Sequence, residues 1–165
     1  MNVYVFDIDN TISNSFPSLI DRKKTIPIFR LITETYRVLR LPFFKNMVFI
    51  VKNRIKRKNS IVFFLSARHP LLWLPTYLSL IYRIGFINPR NLILVRNTLK
   101  KIKVFELLND MFKNRKIRVI DDLSYNHENG EIKYYEKVIS FCVKNKSIIY
   151  FDKKVIDKIN RDVNR

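Results

Sequence analysis

Two acids one residue apart end the first apolar run of this chain. Val3-Tyr4-Val5-Phe6 is a β-prone segment that drops directly into Asp7-Ile8-Asp9, with Asn10-Thr11 following. An unpaired carboxylate is very costly in an apolar setting, so acids at the end of a buried strand call for a partner, and a divalent cation is the simplest. The same residues would also suit a strand running into an Asx-type turn. The pattern recurs at Ile117-Arg118-Val119-Ile120, which ends in Asp121-Asp122. Adjacent carboxylates repel each other and are best tolerated where a cation offsets their charge. A third apolar run, Ile61-Val62-Phe63-Phe64-Leu65, ends in Ser66-Ala67-Arg68. Arg68 offers a planar donor fork suited to a phosphate. Read locally, Ser66 could instead cap a helix beginning near Pro70.

Taken in chain order, the three runs resemble motifs I, II and IV of the haloacid dehalogenase (HAD) superfamily of phosphohydrolases, in a layout similar to polynucleotide 3′-phosphatase domains. The resemblance implies that Asp7 is a nucleophile that forms an aspartyl-phosphate. Asp9 would be the general acid/base, with its backbone carbonyl on the metal. Thr11, Ser66, Ala67 and Arg68 would surround the phosphoryl group. Mg2+ would be held by Asp7, Asp9, Asp121 and Asp122, with Asp121 the direct ligand and Asp122 acting through water or orienting the site. The family also carries a lysine ahead of the motif IV strand, near the start of a helix. The run Thr98–Leu108 offers Lys100, Lys101 and Lys103. Apolar residues at Val104, Leu107, Leu108 and Met111 define a helical face, and Lys103 stands four residues before Leu107. The family's lysine often precedes a core leucine by four residues, so the resemblance makes Lys103 the first choice and Lys100 the second.

These residues need elements to position them. Strands are expected over about 2–8, 60–66, 91–95, 116–121 and 147–151, and helices over about 27–40, 44–57, 70–84, 98–113, 131–144 and 152–163. Alternating strands and helices predict βαβ units and a parallel sheet. Pro27 suits a first helical turn, and Asp152 suits an N-cap. Gly85 and Gly130 fall at element ends. We expect a single α/β domain over 1–165, a Rossmann-like three-layer sandwich, and the family resemblance implies that its five-stranded sheet has the order 5-4-1-2-3. Residues 13–58 would form a helical insertion between the first two strands. That order brings Asp7, Ser66 and Asp121 to neighbouring strand ends, where open α/β sheets bind ligands. With little sequence to spare at either cap insertion point, the family resemblance implies a capless or minimally capped enzyme.

The formal net charge is +18, densest over Lys52-Asn53-Arg54-Ile55-Lys56-Arg57-Lys58. Such a field attracts polyanions. A phosphorylated nucleic-acid end and a small phosphometabolite are both compatible substrates. Abundant Lys, Asn and Ile also fit an AT-rich coding sequence, in which case the charge is compositional. The uncharged stretch His69–Tyr82 is too short to span a bilayer. It is expected to be a buried helix after the Ser66 strand, with docking on a partner or an anionic membrane as the alternative. Asp7 and Asp9 interrupt the first apolar run, so no signal peptide is visible and a cytoplasmic protein is expected. A single Cys142 excludes an internal disulfide and a zinc cysteine set, and His69 and His127 are isolated. The leading expectation is a magnesium-dependent phosphatase. Alternatives are a catalytically silent basic module that binds nucleic acid, and a phosphotransferase on the same fold.

Overall fold

The computed structural model describes residues 1–15, 28–125 and 131–161. The strands are β1 (Asn2–Phe6), β2 (Ser60–Ser66), β3 (Leu92–Leu94), β4 (Ile117–Ile120), β5 (Ser124–Tyr125), β6 (Lys133–Tyr134) and β7 (Ile148–Phe151). The helices are α1 (Ile28–Arg40), α2 (Lys45–Ile55), α3 (Trp73–Ile84), α4 (Lys101–Met111), α5 (Glu136–Lys144) and α6 (Lys153–Arg161). Five strands form one parallel sheet in the order β3-β2-β1-β4-β7. Counted along the chain this is 3-2-1-4-5, the expected order read from the opposite edge. The protein is therefore an α/β sandwich with a five-stranded parallel sheet.

Strand periodicity divides the core in two. Tyr4 and Phe6 of β1, Val62 and Phe64 of β2 and Ile120 of β4 face α2, α3 and α6, packing with Met47, Val51, Leu80, Ile84 and Ile156. Val3, Val5, Phe63, Leu65, Ile117 and Val119 face α4 and α5, packing with Phe105, Leu108, Val138 and Cys142. The strands are apolar on both faces because helices cover both, as parallel sheets require.

Three local expectations change. The segment expected to begin a helix at 131 instead holds β6, which pairs antiparallel with β5 as a separate two-stranded ribbon directly after Asp121-Asp122. Ring packing between Tyr125 and Tyr135, with centroids 4.7 Å apart, and the Tyr135 N–H donated to the Leu123 carbonyl at 2.9 Å, hold this ribbon and delay α5 to Glu136. The residue that caps the turn before α3 is His69, whose Nδ1 accepts from the Leu71 N–H at 3.3 Å, and not Ser66. The His69–Tyr82 stretch is buried on one face only. Leu71, Leu74, Leu78 and Tyr82 point outward, Tyr82 at 81% exposure.

Asp152 does cap α6, accepting from the Val155 N–H at 3.1 Å. Gly85 ends α3 at φ +102°, a conformation open to glycine and strained for other residues. Pro27, His127, Gly130 and the expected last residues of the sixth helix lie outside the described residues. Among the described residues, no helix is long and apolar enough to cross a membrane.

Candidate active site

The parallel register sets the site. Phe6 of β1 lies opposite Phe64 of β2 and Ile120 of β4, so all three strands finish side by side. Ser66 is the last residue of β2, Asp7 and Asp121-Asp122 stand just beyond β1 and β4, and the Asp7 N–H extends the ladder to the Ile120 carbonyl at 2.8 Å. Asp7 and Asp121 continue the strand parity that faces α4, and Ser66 continues the parity that faces α3. The site accordingly has two halves.

On the α4 side, Lys101 Nζ donates to Asp7 Oδ1 at 2.7 Å and to Asp121 Oδ2 at 2.6 Å. All three residues are buried, Lys101 at 3% exposure. Asp121 Oδ1 accepts the Leu123 N–H at 3.0 Å, and the Asp122 carboxylate accepts the Ser124 hydroxyl. Leu123 holds this turn in the left-handed region at φ 43°, a conformation that costs a non-glycine residue about 1–2 kcal/mol. One carboxylate oxygen from each of Asp7, Asp121 and Asp122 lies within 4.8 Å of the others. Burial pushes the Asp7 carboxyl well above the usual carboxylate range. Lys101 pulls against this, and Asp121, Asp9 and Asp122 push further. Burial likewise raises Asp121, with Lys101 opposing it and Asp122 adding to it. Burial also works against the Lys101 ammonium, but Asp121 and Asp7 outweigh it and hold its pKa above the usual lysine range.

On the α3 side, Arg68 forks onto Asp9. Nε lies 3.2 and 2.9 Å from the two carboxylate oxygens, and an outer nitrogen lies 2.7 Å from Oδ1. The remaining guanidinium hydrogens reach the Thr76 hydroxyl at 3.3 Å and the Ser13 hydroxyl at 3.4 Å. Ser66 Oγ donates to Asp9 Oδ2 at 3.0 Å and accepts the Arg68 N–H at 3.2 Å. Burial disfavours the Asp9 charge, but the Arg68 guanidinium outweighs it and holds the carboxyl down at about 2. Asn10, at φ 58°, turns the chain sharply after Asp9, and asparagine tolerates that conformation well.

The structure thus brings together Asp7, Asp9, Ser66, Arg68, Asp121 and Asp122, and it separates others. Lys103 and Lys100 are both exposed, and the lysine in the cluster is Lys101. The reason is helical phase. Lys101 shares a buried stripe with Phe105 and Leu108, at spacings of four and seven. Leu107, used to choose Lys103, is 57% exposed. Thr11 is fully buried, and its hydroxyl has no hydrogen-bond partner among the described residues. Its carbonyl accepts from Asn160 on α6 at 3.5 Å, which ties the loop to that helix. Ala67 is half-buried between Ser66 and Arg68. The Asp9 side chain belongs to the Arg68 half and is not one of the three clustered carboxylates.

Outside the site, burial raises the Cys142 thiol to about 12, the range of an inert structural cysteine. The block 52–58 lies at the opposite end of the sheet. It precedes Ser60, the first residue of the seven-residue strand β2, so about 20 Å of strand separates it from Ser66.

The three clustered carboxylates face one ammonium, which leaves a formal charge of −2 when all are ionised. Oxygen donors with that deficit fit a hard divalent cation. No protein-family model matches the sequence, and no curated protein matches it.

Proposed function

We propose that this chain is a divalent-metal-dependent phosphohydrolase of the HAD type, acting on a phosphomonoester through an aspartyl-phosphate. The observation that carries the reading is the buried Asp7–Lys101–Asp121 contact at the carboxyl end of three adjacent parallel strands, with Asp122 completing an oxygen cluster. Mg2+ is the cation we assign to Asp7, Asp121 and Asp122, where it would neutralise charge on the transferring phosphoryl group.

Asp7 carboxylate attacks phosphorus, an Asp7–phosphate bond forms and the bond to the leaving oxygen breaks. Lys101, already bound to Asp7, offsets negative charge as the phosphate approaches. Asp9 is the proton-transfer group. It protonates the departing alkoxide, then takes a proton from the water that attacks the aspartyl-phosphate and releases inorganic phosphate. With Arg68 forked onto it, Asp9 stands as a carboxylate at neutral pH; a substrate phosphate that draws the Arg68 fork onto its own oxygens would release Asp9 to take up a proton from solvent, and that is the proton it passes to the leaving oxygen. Ser66 Oγ and the Arg68 fork are the donors closest to Asp9 and would meet the phosphoryl oxygens there. No large cap covers these strand ends among the described residues, which suits an open site.

The test is phosphate release with and without Mg2+ from an aryl phosphate, sugar phosphates, nucleotides and 3′- or 5′-phosphorylated oligonucleotides. Asp7→Asn keeps the side-chain volume and should lower turnover by more than about 10³-fold while the protein remains folded. Wild-type turnover by Asp7→Asn would overturn the nucleophile assignment. No metal-dependent release across the panel would overturn the enzyme reading.

A further inference from the structure

The amino end of the sheet, opposite the candidate site, carries a dense excess of positive charge. Three loops enter strands of the sheet there. Lys56, Arg57 and Lys58 precede β2, Lys113, Arg115 and Lys116 precede β4, and Lys144 and Lys146 precede β7, all of them exposed. The strands start nearly level, with Asn2 opposite Ser60, Val3 opposite Ile117 and Ile117 opposite Ile148. The loops are also tied together. Lys116 Nζ donates to the Lys146 carbonyl at 2.6 Å, the Ile117 N–H to the Ser147 carbonyl at 2.8 Å, and the Asn2 N–H to the Asn59 carbonyl at 2.7 Å. Since β2, β1, β4 and β7 are consecutive neighbours, the cations line a strip about 14 Å wide.

Local structure explains only part of this strip. Lys56 caps α2 and Lys144 ends α5, positions where a cation complements the helix dipole. Arg57, Lys58, Lys113, Arg115, Lys116 and Lys146 lie beyond any helix end. The last turn of α4, which leads into the loop before β4, carries one acid, Asp110. A uniformly basic composition would not select one end, and the carboxyl end is mixed, with Asp7, Asp9, Asp121, Asp122, Glu136 and Asp152 among its cations. Like charges gathered without counter-ions destabilise the compact state, and a polyanion relieves that repulsion. The large outward apolar side chains Leu71, Leu74, Leu78 and Tyr82 lie elsewhere, on α3 and the turn before it. Beside the strip, Met111 and Val143 are exposed one each in the last turns of α4 and α5, single apolar side chains rather than the continuous apolar face that an interfacial membrane helix combines with its cations.

We propose that the amino end of the sheet is a phosphodiester-binding face that grips a nucleic-acid backbone without reading its sequence, separate from the candidate active site. It does not depend on the phosphatase reading, because backbone binding needs no terminal phosphate. The probe is a fluorescent 20-nucleotide single strand with hydroxyl ends, followed by anisotropy over a salt series. A variant with Arg57, Lys58, Lys113, Arg115, Lys116 and Lys146 changed to Gln should bind at least tenfold more weakly. Its log K against log salt slope should flatten by about four, because each phosphate that a cation neutralises on a single strand contributes about 0.7. A second variant, limited to Arg57, Lys58, Lys113 and Arg115, leaves the Lys116–Lys146 hydrogen bond intact and should flatten the slope by about three. A control carrying Arg96→Gln, Lys100→Gln and Lys103→Gln should stay within about threefold of wild type. The proposal is overturned if the amino-end variants bind like wild type, or if the control weakens as much as they do. It is equally overturned if wild type fails to bind the strand, whether or not it binds phosphatidylserine vesicles.

Discussion

The two halves of the site treat buried carboxylates in opposite ways. On the α4 side, Asp7, Asp121 and Asp122 share one ammonium, and burial with mutual repulsion raises Asp7 and Asp121. On the α3 side, Asp9 has a guanidinium to itself, bound through both oxygens, and its pKa is lowered. The first half is short of positive charge and the second is balanced. A cation therefore has an electrostatic reason to enter between Asp7, Asp121 and Asp122 and none to enter beside Asp9. The same contrast divides the roles we propose, with covalent and metal chemistry on one side and proton transfer on the other.

The largest effect should come from removing the one cation on the deficient side. Lys101→Met keeps the bulk of the side chain but leaves Asp7 and Asp121 facing each other unpaired. Breaking a buried pair in this way costs about 3–5 kcal/mol, read as a fall in urea unfolding free energy. Lys100→Met and Lys103→Met, on exposed positions, should stay within about 0.5 kcal/mol of wild type. Similar losses from all three would remove the distinction between the buried lysine and its neighbours.

Divalent metal should restore what Lys101 cannot supply. At a hundredfold excess over its dissociation constant, a ligand bound only by the folded state adds about 2.7 kcal/mol. Mg2+ should therefore raise the melting temperature of chelator-treated wild type. Asp121→Ala should weaken that rise more than Asp122→Ala does, since Asp121 shares Lys101 with Asp7. Asp9→Asn should retain it. A rise that survives Asp121→Ala but disappears with Asp9→Asn would transfer the metal to the other half.

How much of this arrangement the sequence discloses depends on range. Strand ends are readable because a long β-prone run must stop where carboxylates begin, and Asp7, Ser66 and Asp121 fall there. Strand order follows from alternation of strands with helices together with the motif resemblance. The phase of α4 misleads because Val104, Leu107 and Met111 are apolar without being buried in the core. The stripe Lys101, Phe105, Leu108 is present in the sequence, and only packing against β1 and β4 selects it. The Arg68–Asp9 pair joins residues 59 apart in sequence, and no local rule connects them. The β5–β6 ribbon has two-residue strands, too short for periodicity to register.

The smallest effect is also the most direct comparison of the two halves, because their stability should run in opposite directions with pH. A carboxyl whose folded pKa is raised stabilises the fold when protonated, so in chelator-treated protein Asp7 and Asp121 should cost stability as pH rises through their raised folded values. Asp9 has the opposite sign. Its folded value of about 2 lies below the ordinary 3.8, so its contribution is complete above about pH 4 and is lost as pH falls through about 2. The shift corresponds to about 2 kcal/mol at 1.36 kcal/mol per unit. With the Asp9 side chain 32% exposed, solvent screening reduces this to about 1 kcal/mol. Urea unfolding between pH 2 and 8 should thus give wild type an acid arm that Asp9→Asn lacks, and a fall in stability above the ordinary carboxyl range, 3.8, that Asp7→Asn reduces. If Asp9→Asn leaves the acid arm unchanged, the Arg68 fork is not what balances that half, and the electrostatic division of the site fails with it.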